Sequence, residues 1–233
     1  MESDKKIYLI ILEGLICSGK STVTRNLKQH ETIKNYKNVH FIDEPIEEYT
    51  HYQSQVDGFI YNPLKELYIS TSSKNTACTQ LIIMDALIKR FEKAIAEKDI
   101  LAEPCIFICD RYFMSVLPFL ETHREYNHLT EFSYSFLKDR LYDKTLELGL
   151  NTQITVAKHY FLNTSLEECI DRIYKRVGEE NQWPRQYMTD YLKSLKQNTL
   201  NTFTGLKILE NDNLNDIIKI IVNDINEIMV QYS

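Results

Sequence analysis

Residues 14–21 read Gly14-Leu-Ile-Cys17-Ser18-Gly19-Lys20-Ser21, a match to G-x-x-x-x-G-K-[ST]. The chemistry of this spacing is phosphate binding. The glycines let the backbone bend until its N–H groups point inward, and a helix starting near Lys20 adds its positive end. Lys20 has the reach for the β- and γ-phosphates of a nucleoside triphosphate, and the Ser21 hydroxyl can ligate Mg2+. Cys17, Ser18 and Thr22 belong to the same turn. A chance match in a glycine-containing turn is the bland alternative. The context argues against it, because a strand-like run, Ile7–Leu12, precedes the motif and helical sequence comes after it.

Three further groups end apolar runs or flank helices. Asp43-Glu44-Pro45 comes after the run Val39–Ile42. Pro45 holds the residue before it extended, so that Glu44 projects from a strand end and can accept a proton from an attacking hydroxyl. A solvated carboxylate is the competing reading, and it is the one taken for Asp43. Asp110-Arg111-Tyr112 comes after Cys105–Cys109. Asp110 suits Mg2+ or its water shell, and Arg111 suits an attacking oxygen and a moving phosphoryl group. A plain buried Asp–Arg pair would look the same. Arg172 and Arg176, four residues apart, share a helix face and could close over phosphates as a mobile lid, or form a solvated stripe with Asp171 and Glu179.

These groups need a frame. Strand-like runs at Ile7–Leu12, Val39–Ile42, Cys105–Cys109, Ile154–Leu162 and Leu206–Leu209 alternate with helical stretches at about 20–30, 74–98, 113–148, 165–176 and 214–229. Thr164 or Ser165 caps the fourth of these. Residues 43–62 read as a loop. The alternation predicts an α/β fold: a five-stranded parallel sheet, helices on both faces, one domain over residues 1–233, and ligands beyond the carboxyl ends of the strands.

Composition sets the bounds. The chain of 233 residues carries 27 basic and 33 acidic side chains, for a formal charge of −6. That argues against a broad nucleic-acid-binding face. No apolar run reaches ~18 residues, so no membrane span is expected. The first residues lack a signal core, and a motif starting at residue 14 leaves no room for a removable leader. The five cysteines are scattered, without C-x-x-C spacing, which suits reduced thiols in a cytoplasmic protein. Cys105 and Cys109 read as core residues rather than metal ligands.

From about Ile7 to Leu195 the chain resembles the deoxyribonucleoside kinase family. The resemblance rests on Glu13-Gly14…Lys20-Ser21-Thr22, Glu44-Pro45-Ile-Glu-Glu-Tyr49, Leu67-Tyr68, Thr79-Gln80, Asp110-Arg111 and Arg172-Ile-Tyr-Lys-Arg176…Glu180…Pro184…Tyr187. It implies a P-loop kinase fold with a short lid at about 172–187, ATP with Mg2+ as phosphoryl donor, a deoxyribonucleoside acceptor and a homodimer built on helices. Residue by residue, it implies that Glu44 receives the 5′-hydroxyl proton and that Arg111 contacts that oxygen and orients Glu44. Tyr49 then lines the nucleoside pocket where relatives often carry Trp, Tyr68 and Glu180 hold the sugar 3′-hydroxyl, and Gln80 pairs with the base edge. Asp110 stands where the family usually has Glu, one methylene longer, so its Mg2+ contact is expected through water. Val177-Gly178 stands where relatives often have a further lid arginine, with Arg185 a candidate substitute. Leu87 and Val116 stand where relatives that favour deoxycytidine and purines have Arg and Asp. Uncharged residues there imply an apolar cavity able to take the 5-methyl of thymine. Two other readings stay open: a thymidylate kinase, disfavoured by the acidic loop Asp43–Glu48, and a non-enzymatic nucleotide-binding protein.

Overall fold

The computed structural model describes residues 6–56, 58–69, 72–96, 105–151, 153–177 and 183–232. The first strand, β1 (Lys6–Gly14), is apolar because both of its sides are covered. Its side chains alternate: Ile7, Leu9 and Ile11 enter one core, while Tyr8, Ile10 and Leu12 enter the other. The chain continues through α1 (Lys20–Gln29), α2 (Glu31–Lys34), β2 (Val39–Ile42), α3 (Ile46–Thr50), a small hairpin of β3 (Tyr52–Gln53) and β4 (Ile60–Tyr61), α4 (Pro63–Ile69) and α5 (Ser73–Ala96). Then come β5 (Cys105–Asp110), a 3-10 turn (Phe113–Ser115), α6 (Val116–Glu125), α7 (Glu131–Asn151), β6 (Gln153–Asn163), α8 (Leu166–Val177), α9 (Arg185–Thr202), β7 (Lys207–Glu210) and α10 (Leu214–Tyr232).

The main sheet is parallel throughout, in the order β2-β5-β1-β6-β7. Helices α5, α6 and α7 cover one face through Leu87, Phe91, Leu120 and Leu141. Helices α1 and α10 cover the other through Val23, Leu27, Ile221 and Ile225. Burial of each such side chain contributes ~1.5–3 kcal/mol. Cys105 and Cys109 are buried in β5, on the side of the first core. Register brings the strand ends together: Leu12 pairs with Asp110, Ile42 with Cys109 and Gly14 with Leu162. The residues just beyond β1, β2, β5 and β6 therefore share one edge of the sheet. No described helix is long and apolar enough to cross a membrane.

Several stretches differ from expectation. Residues 43–62, expected as loop, contain α3 and the hairpin. The hairpin carries exposed Phe59, Ile60 and Tyr61, so its pattern is not that of a strand half-buried on a core. The expected helical stretch 113–148 is broken after α6, where Asn127 takes a positive φ of 55° and the N–H of His128 turns back to the carbonyl of His123 at 2.8 Å. Helices α4 and α9 lie outside the expected elements, although in α9 Met188, Tyr191, Leu192, Leu195 and Thr199 recur at helical spacing and are all buried.

Candidate active site

The turn after β1 is built around its glycines. Gly14 cannot carry a side chain, since a Cβ there would lie 2.5 Å from Ser18 Oγ and 3.0 Å from the Leu162 carbonyl. Gly19 adopts φ 100° and serves as N-cap of α1, leaving the first N–H groups of the helix for a ligand. Ser18 Oγ is buried with no partner among the described residues, as suits a hydroxyl kept for an anion. The Ser18 carbonyl is tied back by Thr164 Oγ1 at 2.7 Å and Asn211 Nδ2 at 2.8 Å. Between the two candidate caps of α8, the division is clear: Ser165 Oγ accepts the Glu168 N–H, while Thr164 holds the phosphate-loop turn.

Lys20 is buried, and its ammonium rests on the carbonyls of Gly14 (3.3 Å) and Leu15 (3.0 Å). Burial, and next the positive charge of Arg111, pull its pKa below the usual lysine value. Ser21 donates to Asp110 Oδ2 at 2.7 Å, and Asp110 Oδ1 is buried without a partner among the described residues. Burial raises the Asp110 pKa, with Lys20 acting against it. A divalent cation fits this corner. It offers a hydroxyl and an unpartnered carboxylate oxygen, both hard donors, which would hold Mg2+ directly or through water.

Glu44 and Arg111 converge from β2 and β5. Arg111 Nε lies 3.3 Å from Glu44 Oε1. The same guanidinium donates from Nη2 to the Gly14 carbonyl at 3.2 Å and stands 3.6 Å from Glu13 Oε2 through Nη1. Burial works against its charge, but its acidic neighbours, Glu44 and Glu13 foremost, together outweigh burial and the Arg111 pKa lies above its ordinary value. Arg111 has a positive φ of 66°, a conformation that costs about 1 kcal/mol or more for a residue with a Cβ. Glu13, itself fully buried, accepts a hydrogen bond from Ser115, whose Oγ accepts the Tyr112 N–H at 2.8 Å. Burial raises the Glu13 pKa, opposed by Arg111. The start of the phosphate loop and the segment after β5 are thereby one unit. Asp43 is the bystander expected: it pairs with Lys28 at 2.5 Å.

Lys20, Ser21, Glu44 and Arg111 line a cavity of about 610 Å³, while Gly14, Ser18, Glu13 and Asp110 stand behind its wall and Asp43 lies outside it. Gly19, Lys20, Ser21, Thr22, Arg172 and Arg176 line its phosphate-loop side, with Cys17 beside them. Glu44, Tyr49, Gln80 and Arg111 line the remainder with a largely aliphatic wall that includes Leu87 and Val116. Tyr49 is buried and donates to Glu44 Oε1 at 2.6 Å. The Gln80 side chain is buried among protein atoms and cavity. Arg172 donates to the Cys17 carbonyl at 3.0 Å and pairs with Glu168 at 2.5 Å, while Arg185 pairs with Asp171 at 2.5 Å and is not among the cavity residues. Arg185 is thus engaged with Asp171 on α8 in this structure, and Gly178 lies outside the described residues. Glu180 lies outside the described residues. So does the side chain of Tyr68, whose backbone is in α4.

Several cavity residues are not among those the sequence pointed to. Asn211, Asp212 and Leu214 lie directly after β7 and reach the phosphate-loop side. Their signal is position: they stand just beyond the last strand, as Glu44 and Arg111 stand just beyond β2 and β5. Phe119, with the Arg111 guanidinium 5.0 Å from its ring centroid, carries no signal beyond its place in an apolar helix. Tyr191 lines the cavity from α9, an unexpected helix. Behind it runs a chain of polar rings: Tyr191 OH to His123 Nε2 at 3.1 Å, His123 Nδ1 to His128 Nδ1 at 3.2 Å, and His128 Nε2 to Tyr187 OH at 2.5 Å. Burial, and next the nearby His128, push the His123 pKa down to about 3.

Comparison with known proteins agrees with this fold. The family model described as deoxynucleoside kinase matches residues 10–232. No curated protein matches significantly in sequence. Among solved structures, the deoxyadenosine kinase from M. mycoides with bound dATP aligns with a TM-score of 0.67 at 19% identity, covering 94% of this chain and 98% of that one. The same kinase with the products dCMP and a flexible dCDP aligns with a TM-score of 0.60 at 19% identity, covering 94% and 99%.

Proposed function

The chain belongs to the deoxynucleoside kinase family, and from that premise we propose that it transfers the γ-phosphoryl group of ATP to the 5′-hydroxyl of a deoxyribonucleoside, with pyrimidines favoured and thymidine accepted. The observation that carries the reading is the meeting of Glu44 and Arg111, 3.3 Å apart, in the cavity that also holds Lys20.

Each part of the cavity has its own task. The phosphate loop and the N-terminus of α1 cradle the triphosphate, with Arg172 and Arg176 beside it. Mg2+, when bound at Ser21 and Asp110, directly or through water, neutralises charge on the β- and γ-phosphates. Arg111 donates to the Gly14 carbonyl and pairs with Glu44 and Glu13, and so presents its charge with little freedom. That is the pre-organised stabilisation a loose phosphoryl-transfer transition state rewards. Glu44 aligns the attacking hydroxyl and takes its proton. Tyr68 and Glu180 remain the proposed partners of the 3′-hydroxyl. Gln80 offers an amide donor and acceptor to the base edge. The walls at Leu87 and Val116 are uncharged, which favours a 5-methyl group and offers nothing to the exocyclic groups of a purine.

A panel of thymidine, deoxycytidine, deoxyadenosine, deoxyguanosine and dTMP, each with ATP and Mg2+, tests this. The pyrimidine nucleosides should exceed the purines by about tenfold or more in kcat/KM, the scale of a pocket contact. Turnover of purines alone would remove the base preference, and transfer to dTMP alone would change the acceptor.

We also propose that two copies pair through α7. Phe132, Phe136 and Leu146 fall on one side of that helix and are 80%, 53% and 65% exposed. Such a stripe is costly to leave in water and common at subunit contacts. Sedimentation should give twice the chain mass, and Phe136→Glu should halve it. A wild-type monomer would refute the pairing.

A further inference from the structure

The two oxygens of Glu44 stand in different surroundings. Oε1 receives the Tyr49 hydroxyl at 2.6 Å and faces Arg111 Nε at 3.3 Å. A hydroxyl-to-carboxylate contact of that length is a charge-assisted bond. Among the described residues the hydrogen bond to this carboxylate falls on Oε1 and none falls on Oε2, and the side chain lines the cavity. A carboxylate held by one donor can exchange its oxygens, because its last torsion is broad and two-fold. The Tyr49 hydrogen bond from α3 and the Arg111 ion pair from β5 fall on the same oxygen and together oppose that exchange. Burial, and next Glu44 itself, push the Tyr49 phenol well above its ordinary pKa, so it remains a donor.

We infer that Glu44 takes the 5′-hydroxyl proton on Oε2, and that Tyr49 is the positioning residue that reserves this oxygen by occupying Oε1. The inference rests on the reading of Glu44 as the proton acceptor. In the step, the nucleoside O–H bond breaks and an O–H bond forms on Oε2. The freed oxygen pair bonds to the γ-phosphorus, the bond from phosphorus to the bridging oxygen breaks, and ADP leaves with that electron pair. Where relatives often carry Trp, this chain thus gains a hydroxyl aimed at the base, and the pocket residue takes on a second task.

Tyr49→Phe keeps the ring and deletes the hydroxyl. With ATP and thymidine, kcat should fall by about tenfold, the scale of one hydrogen bond to a charged group, while nucleoside KM stays within about threefold. In an E44Q background the same change should do nothing further. Tyr49→Trp, which fills the space without placing a hydroxyl on Glu44, should lower kcat likewise and serves if Y49F does not fold. An unchanged kcat in either folded variant overturns the inference, as does an equal loss with and without Glu44, which would make Tyr49 a pocket residue only. If E44Q itself keeps its kcat, the underlying reading of Glu44 fails. If E44Q is impaired and Y49F is not, only the assignment of the oxygens fails.

Discussion

Lys20→Ala should abolish phosphoryl transfer while the protein stays folded. The ammonium is buried at the mouth of α1 and is held by two carbonyls of its own loop, Gly14 and Leu15. A backbone carbonyl cannot return what burial of a full charge costs, as the lowered pKa records. The group is kept for a stronger partner, and the phosphates provide one. Deleting it removes a cation from the developing charge and should lower kcat/KM by ~10³-fold or more. The melting temperature serves as the folding control, since the ammonium also opposes the burial-raised pKa values of Asp110 and Glu13. A coupled ADP-release assay beside a thermal melt reads both quantities. Retained turnover would contradict the assignment of the loop.

Glu44→Gln should keep nucleoside binding and lower kcat by ~10²-fold or more, the usual range for a positioned base. The amide keeps an oxygen for the Tyr49 hydroxyl and nearly the same shape, so the cavity survives. The Arg111 guanidinium retains Gly14 and Glu13. What is lost is the capacity to accept a proton. Calorimetry with thymidine and a kcat measurement separate binding from transfer, and an unchanged kcat would show that Glu44 is structural.

Much of the frame is legible in the residues themselves. A buried parallel strand must be apolar on both sides, and Ile7–Leu12 and Cys105–Cys109 are. The loop after β1 announces itself by spacing, and Glu44 and Arg111 by standing at strand ends. The parts that are not legible lack a local signal. Glu13 reads as the polar end of a strand, and only the fold turns it toward Ser115 and Arg111. Tyr49 reads as a pocket residue, and its bond to Glu44 depends on the short α3 folding back after Pro45. Asn211 and Thr164 meet at the Ser18 carbonyl from two strands far apart in sequence. Helix α9 is the exception, since its apolar period is present in the residues and is obscured only by the polar side chains between them.

The ring chain behind Tyr191 has a polarity. With both imidazoles neutral, a single proton sits between the two Nδ1 atoms, and it dictates everything outward from there. If His123 donates, His128 donates to Tyr187 and Tyr191 donates inward. If His128 donates, each of these bonds runs the other way. No mixed arrangement satisfies every ring nitrogen, so the direction of one hydroxyl at the cavity wall and of another on α9 must reverse together.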